Sequence, residues 1–204
     1  MTLILVRHAQ SEANAAGVFT GSMDVALTEY GRRQAEALAD RLAGRAITAV
    51  YASTLQRAQA TARPTAERFG LEVTVLDALR EAGLGEAEGL AWPEVRRRWT
   101  LGEGARWADA IPGAERGDDV RARVAGGIDA LLERHRDDIA LCVSHAGTLT
   151  HAIQHVLGLP LEQGVRVPLH HAALNIVEWT ERGPVLVALN DQCHLEAVAA
   201  APAV

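Results

Sequence analysis

Short apolar runs alternate along the chain with longer stretches in which apolar residues recur at helical spacing. The runs are rich in leucine and β-branched residues, which is typical of strands buried on both faces of a sheet. We predict strands over 2–6, 47–51, 73–76, 139–143, 173–179 and 185–189. We predict helices over 30–42 after a cap at Thr28, from a cap at Ser53 or Thr54 to Phe69, over 118–135, and from Gly147 to Val156. This alternation predicts an α/β fold, a three-layer α/β/α sandwich with a mainly parallel central sheet.

Two regions interrupt the alternation. Residues 9–27 look like a loop, and residues 82–117 combine several glycines with Trp92, Trp99 and Trp107 and with the run Arg96–Arg98. We interpret 82–117 as a small helical, cap-like insertion within a single domain that spans residues 1–204. The arginine run is typical of a solvated helix face. The Ala-rich tail after Leu195 is expected to fray.

Composition narrows the function further. The chain has 204 residues and a net charge of -6, which argues against nucleic acid or an acidic membrane as partner. All 20 basic residues are arginine, so a Schiff-base lysine and a phosphate-loop lysine are both excluded. Two cysteines, Cys142 and Cys193, make neither a disulfide framework nor a Cys-rich zinc site. Without a signal sequence or a membrane-length apolar run, we expect a cytoplasmic protein.

Two of the predicted strands end in a similar polar signature. The first ends in Arg7-His8, the fourth ends in Ser144-His145, and Arg57 follows a third strand at the start of a helix. Ligands of open α/β sheets bind at the carboxyl ends of the strands, so these side chains can converge there. Two arginines beside two histidines indicate an anion site rather than a metal site. The pair His151 and His155 lacks an obvious third ligand, and we predict no bound metal.

The residues around His8 resemble a known signature. Arg7-His8-Ala9, with Gln10, Ser11 and Asn14, resembles the RHG signature of the histidine phosphatase superfamily, which includes the cofactor-dependent phosphoglycerate mutases. The similarity continues in order through Phe19-Thr20-Gly21, Asp24, Leu27-Thr28, Gly31, Gln34-Ala35, Ser53, Arg57, Thr61-Ala62, Leu79-Arg80-Glu81, Gly85, Glu88-Gly89, Pro112-Gly113-Ala114-Glu115 and Ser144-His145-Ala146-Gly147. It departs at Ala9, where the signature most often has glycine, which adds a methyl group beside His8.

The resemblance implies a fold, a mechanism and a set of site residues. It makes His8 the nucleophile, whose second ring nitrogen is expected to donate to a backbone carbonyl. It implies that Arg7, Arg57 and His145 clamp the phosphoryl oxygens and that Glu81 is the proton donor. Glu86, Glu88 and Glu94 lie nearby in sequence as alternatives to Glu81. It further implies substrate contacts from Asn14, Thr20, Gly21 and Ala146, and no cofactor.

Three functions are compatible with this pattern. We favour a metal-independent phosphomonoesterase that hydrolyses a small phosphorylated metabolite, because the chain is short for the alternative, a phosphoglycerate mutase. A catalytically inactive binding protein is the third reading, although His8 and both arginines are present. The tryptophans of the insertion are compatible with an apolar wall for sugar, nucleotide or aromatic leaving groups, but tryptophan at such spacing is more often core. The physiological substrate and the oligomeric state, a homodimer included, stay open.

Overall fold

A six-stranded sheet forms the centre of the computed structural model, which describes residues 1–99, 110–159 and 168–198. The strands are β1 Thr2–Arg7, β2 Ala49–Ala52, β3 Val73–Val75, β4 Ile139–Ser144, β5 Leu174–Thr180 and β6 Gly183–Asp191. Their order is β3-β2-β4-β1-β5-β6. Three pairings are parallel and β5 is antiparallel to both its neighbours, so only β5 runs against the other strands of this sheet. The predicted mainly parallel sheet is confirmed.

Six helices surround the sheet in the described part of the chain. They are α1 Glu12–Ala15, α2 Glu29–Leu42, α3 Gln56–Phe69, α4 Trp92–Arg98, α5 Gly117–Arg134 and α6 Ala146–Val156. The long helices lie within a few residues of their predicted bounds. Thr28 caps α2 as predicted, because its side chain accepts a hydrogen bond from the N–H of Gly31.

Two local predictions were wrong. Residues 9–27 are not all loop, since α1 forms there behind a capping box in which Ser11 and Asn14 bond each other's backbone N–H groups. The second error concerns α3, whose N-cap residue is Leu55 rather than Ser53 or Thr54. The Ser53 hydroxyl is engaged elsewhere, because it accepts a hydrogen bond from the N–H of Leu55 and contacts the ring of His145.

Alternate side chains of β1 pack on opposite layers. Leu3 and Leu5 belong to a core cluster with residues of α5 and α6, whereas Ile4 and Val6 belong to a second cluster with residues of α2 and α3. All four are fully buried, which is the pattern of a strand covered on both faces. This confirms the three-layer sandwich. Cys142 of β4 is a buried core thiol, and its burial raises its pKa to about 12.

The insertion contributes a small apolar cluster of its own. Ala87, Val95 and Ile111 are buried there, with Phe19, Leu84, Leu90, Trp99 and Ala114 packed against them. On α4, Arg97 and Arg98 pair with Glu94, which fits the predicted solvated face, and Arg96 lies over the ring of Trp92. Residues 100–109 with Trp107, and the tail beyond residue 198, lie outside the described residues. The role of 82–117 as a cap stays a prediction.

Across residues 1–99, 110–159 and 168–198, none of the helices combines the length and the apolar character that crossing a bilayer would take.

Candidate active site

The pairing of β1 with β4 brings two histidines to one edge of the sheet. The two strands are parallel and in register from Thr2↔Ile139 to Arg7↔Ser144, so the residues that follow them, His8 and His145, lie side by side. The His8 N–H donates to the Ser144 carbonyl at 2.8 Å, and the centroids of the two imidazole rings are 5.0 Å apart. Both side chains are buried.

Hydrogen bonds define the protonation of the His8 ring. Its Nδ1 lies 2.7 Å from the carbonyl oxygen of Ala9, and the Nε of Arg57 lies 3.3 Å from its Nε2. Because a carbonyl can only accept and a guanidinium can only donate, Nδ1 carries the hydrogen and Nε2 presents a lone pair. The expected bond from the second ring nitrogen to a backbone carbonyl is therefore present. His171 supports the same segment by donating from Nδ1 to the His8 carbonyl at 3.0 Å.

Burial keeps the clustered histidines neutral. The pKa of His8 lies well below its ordinary value because of desolvation, and the positive potential of His145 and Arg57 lowers it further. Desolvation likewise lowers the pKa of His145, followed by the charges of Arg57 and Arg7. The pKa of His171 falls to about 4 for the same principal reason. A neutral His8 is the form that can attack an electrophile through Nε2.

Arg57 lies in the first turn of α3 and is fixed by a loop. Its side chain is only 1% exposed, and its two terminal nitrogens donate to the carbonyls of Met23 at 2.6 Å and Gly21 at 2.9 Å. Gly21 has φ +48°, and a Cβ there would lie 2.3 Å from Oε1 of Glu88. Glycine is thus required at the position that orients Arg57.

Two buried nitrogen atoms at this edge lack an acceptor. Among the residues that the structure describes, Nε of Arg7 and Nδ1 of His145 have no hydrogen-bond partner, although both atoms are inaccessible. The other ends of these side chains are held, since Arg7 donates to the Leu169 carbonyl at 2.7 Å and His145 Nε2 lies 2.7 Å from the Ser53 hydroxyl. Unpaired buried polar groups are costly, so these two nitrogens indicate a binding function at this edge of the sheet.

The carboxylate of Glu81 lies at the N-terminus of α6. It accepts hydrogen bonds from the N–H groups of Gly147 and Thr148, each at 3.2 Å, and lies 3.1 Å from the Thr148 hydroxyl oxygen. A helix N-terminus favours an anionic group. Gly147 leaves room for it, because a Cβ there would lie 2.8 Å from Oε1 of Glu81.

A partly buried ion-pair network lies behind Glu81. Glu115 pairs with Arg123 at 3.0 Å and with Arg80 at 3.3 Å. Arg123 in turn donates to the Arg80 carbonyl at 2.9 Å, and the Thr148 hydroxyl donates to the same carbonyl at 2.8 Å. The network therefore fixes the backbone immediately before Glu81. Its sequence signal was Pro112-Gly113-Ala114-Glu115, from which no role for Glu115 was predicted.

The other nearby glutamates have different partners. Glu88 accepts from the N–H groups of Ser22 and Leu84, and Glu94 pairs with the arginines of α4. Glu86 is exposed. Of the four glutamates considered from the sequence, Glu81 is the one that lines the cavity described next.

A single cavity of about 750 Å³ brings most of the predicted site residues together. Those that line it are Arg7, His8, Asn14, Thr20, Gly21, Arg57, Glu81 and Ala146. His145 is not a lining residue and stands behind His8 at the ring distance given above. Sequence reasoning missed six further lining residues, namely Gly17, Val18, Phe19, Leu84, Trp92 and Pro168. The aromatic content of the insertion was the one signal that pointed toward Trp92.

His155, one of the two histidines considered for a metal, contacts a carboxylate. His155 pairs with Asp129 through Nε2 at 2.7 Å. No cluster of three metal-ligating side chains occurs within the described ranges 1–99, 110–159 and 168–198. The donors that converge on the cavity are guanidinium and imidazole groups, which suit an anion.

Comparisons with known proteins agree with this chemistry. Residues 3–192 match the family model of the histidine phosphatase superfamily, branch 1. Phosphoserine phosphatase 1 of Hydrogenobacter thermophilus is 32% identical over 95% of this chain and 93% of its own. A Yersinia pestis protein named "Probable phosphoglycerate mutase GpmB" is also 32% identical, over 96% of this chain and 95% of its own. A mycobacterial glucosyl-3-phosphoglycerate phosphatase, solved in complex with VO3, superimposes with a TM-score of 0.83 at 28% identity, covering 94% of this chain and 99% of that one. The chain belongs to the histidine phosphatase superfamily.

Proposed function

We propose that this protein is a phosphomonoesterase that hydrolyses a small phosphorylated metabolite through a phosphohistidine at Nε2 of His8. The observation that carries the proposal is the hydrogen bonding of His8. Nδ1–H donates to the Ala9 carbonyl and the Nε2 lone pair faces the arginine donor, inside a cavity that both line. Phosphatases among the relatives support the same reaction class.

The first half-reaction transfers the phosphoryl group to the enzyme. The Nε2 lone pair forms a bond to phosphorus while the bond from phosphorus to the ester oxygen breaks, and protonated Glu81 gives its proton to the departing alkoxide. Arg7 and Arg57 donate to the non-bridging oxygens, whose charge is stabilised in the transition state, and we propose that His145 completes this clamp from its position behind His8. We call His8, Arg7, Arg57, His145 and Glu81 the phosphoryl end of the cavity.

The second half-reaction returns the enzyme to its starting state. A water molecule attacks phosphorus, the Glu81 carboxylate takes a proton from it, and the bond between Nε2 and phosphorus breaks as inorganic phosphate forms. Asn14, Thr20, Gly21 and Ala146 line the cavity and are proposed to contact the phosphate or the leaving group. No step needs a metal ion, because guanidinium and imidazole donors supply the charge stabilisation.

A mutase is the second candidate, because the Yersinia pestis relative matches at the same identity as the phosphoserine phosphatase. A mutase would share the first half-reaction and would return the phosphoryl group to another hydroxyl of the substrate. The position of His8, Arg7, Arg57 and Glu81 around one cavity supports catalysis rather than inactive binding. A cytoplasmic location and a homodimer stay predictions.

Phosphate release from a panel of phosphate esters, measured with EDTA present, tests the proposal. We expect His8→Ala to lower turnover at least about 10⁴-fold, because the nucleophile is lost. His155→Ala is the matched control, since that histidine pairs with Asp129 away from the cavity. Alkaline quenching of a reaction run with labelled ester should retain label on the wild type and none on His8→Ala.

Three results would contradict the proposal. Near-native turnover by His8→Ala would remove the nucleophile assignment. If wild-type activity is lost in EDTA and is restored by added metal, the proposed metal independence is wrong. Interconversion of phosphoglycerates with a bisphosphorylated primer, without net phosphate release, would establish the mutase instead.

A further inference from the structure

One side of the cavity carries no charge and is apolar. Its residues are Val18, Phe19, Leu84, Trp92 and Pro168, which we call the apolar wall. Trp92 is 41% exposed, a high value for the largest apolar side chain. Exposed apolar surface inside a concave site is typical of a ligand-binding wall.

The wall is held in place without a ligand. The rings of Phe19 and Trp92 meet edge to face with their centroids 4.5 Å apart, and the guanidinium of Arg96 lies 5.0 Å from the Trp92 ring centroid. The backbone is also tied, because the Phe19 N–H donates to the Leu90 carbonyl and the Gly89 N–H donates to the Phe19 carbonyl. An aromatic surface fixed in this way needs little ordering when it binds a ring.

The charged groups that line the cavity lie at its phosphoryl end. Among the described lining residues, the ionisable side chains are Arg7, His8, Arg57 and Glu81, all of which belong to the phosphoryl end. Outside the cavity, the nearby Arg97 and Arg98 are paired with Glu94. The leaving group therefore meets the apolar wall, where the guanidinium of Arg96 lies over the Trp92 ring.

We infer that the substrate is a phosphate monoester whose leaving alcohol carries an aromatic ring that packs on Trp92. The inference rests on the proposed phosphatase reaction and adds the class of its leaving group. It sets this chain apart from relatives named for phosphoserine and phosphoglycerate, whose leaving groups carry no aromatic ring. The phosphate would bind at the phosphoryl end while the ring covers the apolar wall, with Trp92 and Phe19 as the specificity-determining residues.

Two matched substrates test the inference. Ethyl phosphate and 2-phenylethyl phosphate release alcohols of similar acidity, so the ratio of their kcat/KM values reports contact with the ring rather than the ease of bond breaking. We expect 2-phenylethyl phosphate to be preferred about tenfold or more, and to be preferred over O-phosphoserine and 3-phosphoglycerate.

Variants then locate the contact. Trp92→Ala should lower the ratio about tenfold, and Trp92→Phe should restore most of it because a ring remains to stack on. Val187→Ala is the control, since Val187 is an exposed apolar residue of β6 outside the cavity, and should leave the ratio unchanged. The wild-type ratio alone decides the question if Trp92→Ala does not fold.

The two proposals fail differently. An enzyme that hydrolyses none of these esters would remove the phosphatase itself. An active, His8-dependent enzyme with a ratio near one, or with a preference for phosphoserine or phosphoglycerate, would overturn only the inference about the leaving group. A ratio that Trp92→Ala leaves unchanged would show that the ring binds elsewhere.

Discussion

The two histidines at the phosphoryl end of the cavity follow strands of the central sheet, whereas the apolar wall lies on loops, the start of α4 and the small cluster around Val95. His8 and His145 directly follow β1 and β4, whose pairing fixes the distance between them. Phe19 and Trp92 instead meet across the isolated bridge between Val18 and Ala91.

The difference separates chemistry from specificity. A change in the wall alters a few contacts within its own cluster, while a change at the phosphoryl end disturbs groups that the main core holds. The transfer step and the recognition of the leaving group can therefore change independently of each other. The following predictions test that separation, from the largest expected effect to the smallest.

Arg57→Met should damage the phosphoryl end alone. We expect kcat/KM to fall about 10³-fold, because a preorganised charged donor beside Nε2 of His8 is removed. Ethyl and 2-phenylethyl phosphate should lose activity equally, since Arg57 contacts the group that they share. Arg63→Met is the control, because Arg63 lies on the same helix and is exposed. A loss confined to the aromatic ester would contradict the separation of the two ends.

Arg123→Met should weaken the proton donor from a distance. The substitution removes one of the two arginine partners of Glu115 and the bond to the Arg80 carbonyl, so Glu81 is held less well. We expect kcat to fall about tenfold for ethyl phosphate but little for p-nitrophenyl phosphate, whose leaving group needs no proton. Glu81→Gln should show the same pattern at about 100-fold.

The controls for Arg123→Met separate a role in positioning Glu81 from a general loss of structure. Arg121→Met lies on the same helix and loses only an exposed pair with Asp118, so both esters should keep their rates. Equal losses for ethyl and p-nitrophenyl phosphate in Arg123→Met would indicate a purely structural role.

The smallest effect concerns stability in acid. His171 has a pKa of about 4 in the folded protein, below the ordinary 6.5, so between these values the unfolded chain binds a proton that the folded chain does not. Stability is therefore lost as the pH falls below about 6.5, and His171→Asn should lose about 1 kcal/mol less between about pH 7 and about pH 5.5. Urea unfolding at the two pH values measures this, with Trp92→Phe as a control because the apolar wall carries no titrating group. Parallel losses in wild type and His171→Asn would contradict the assignment.

The sequence was informative where a local pattern of residues has only one structural interpretation. The apolar strands ending in Arg7-His8 and Ser144-His145 predicted both the sheet and the edge at which those side chains meet. Such strands are recognised locally, and the convergence of their ends follows from parallel topology.

Sequence reasoning failed where a side chain can form hydrogen bonds with more than one partner. Ser53 looked like a helix cap, but its hydroxyl contacts His145, so α3 begins beyond it. The helix α1 has only four residues, which is too short for a helical spacing of apolar residues to be recognised in the sequence. Contacts such as Phe19 with Trp92 join segments far apart in the chain, and no local pattern encodes them.

The loop carbonyls that hold Arg57 also have a kinetic consequence. Because Gly21 and Met23 keep the guanidinium in position before any substrate arrives, the clamp fits free inorganic phosphate as well as a phosphoryl ester. The product of the proposed reaction therefore competes with the substrate for the same donors. Turnover would then slow as orthophosphate accumulates, and the proposed enzyme would respond to phosphate through its active site itself.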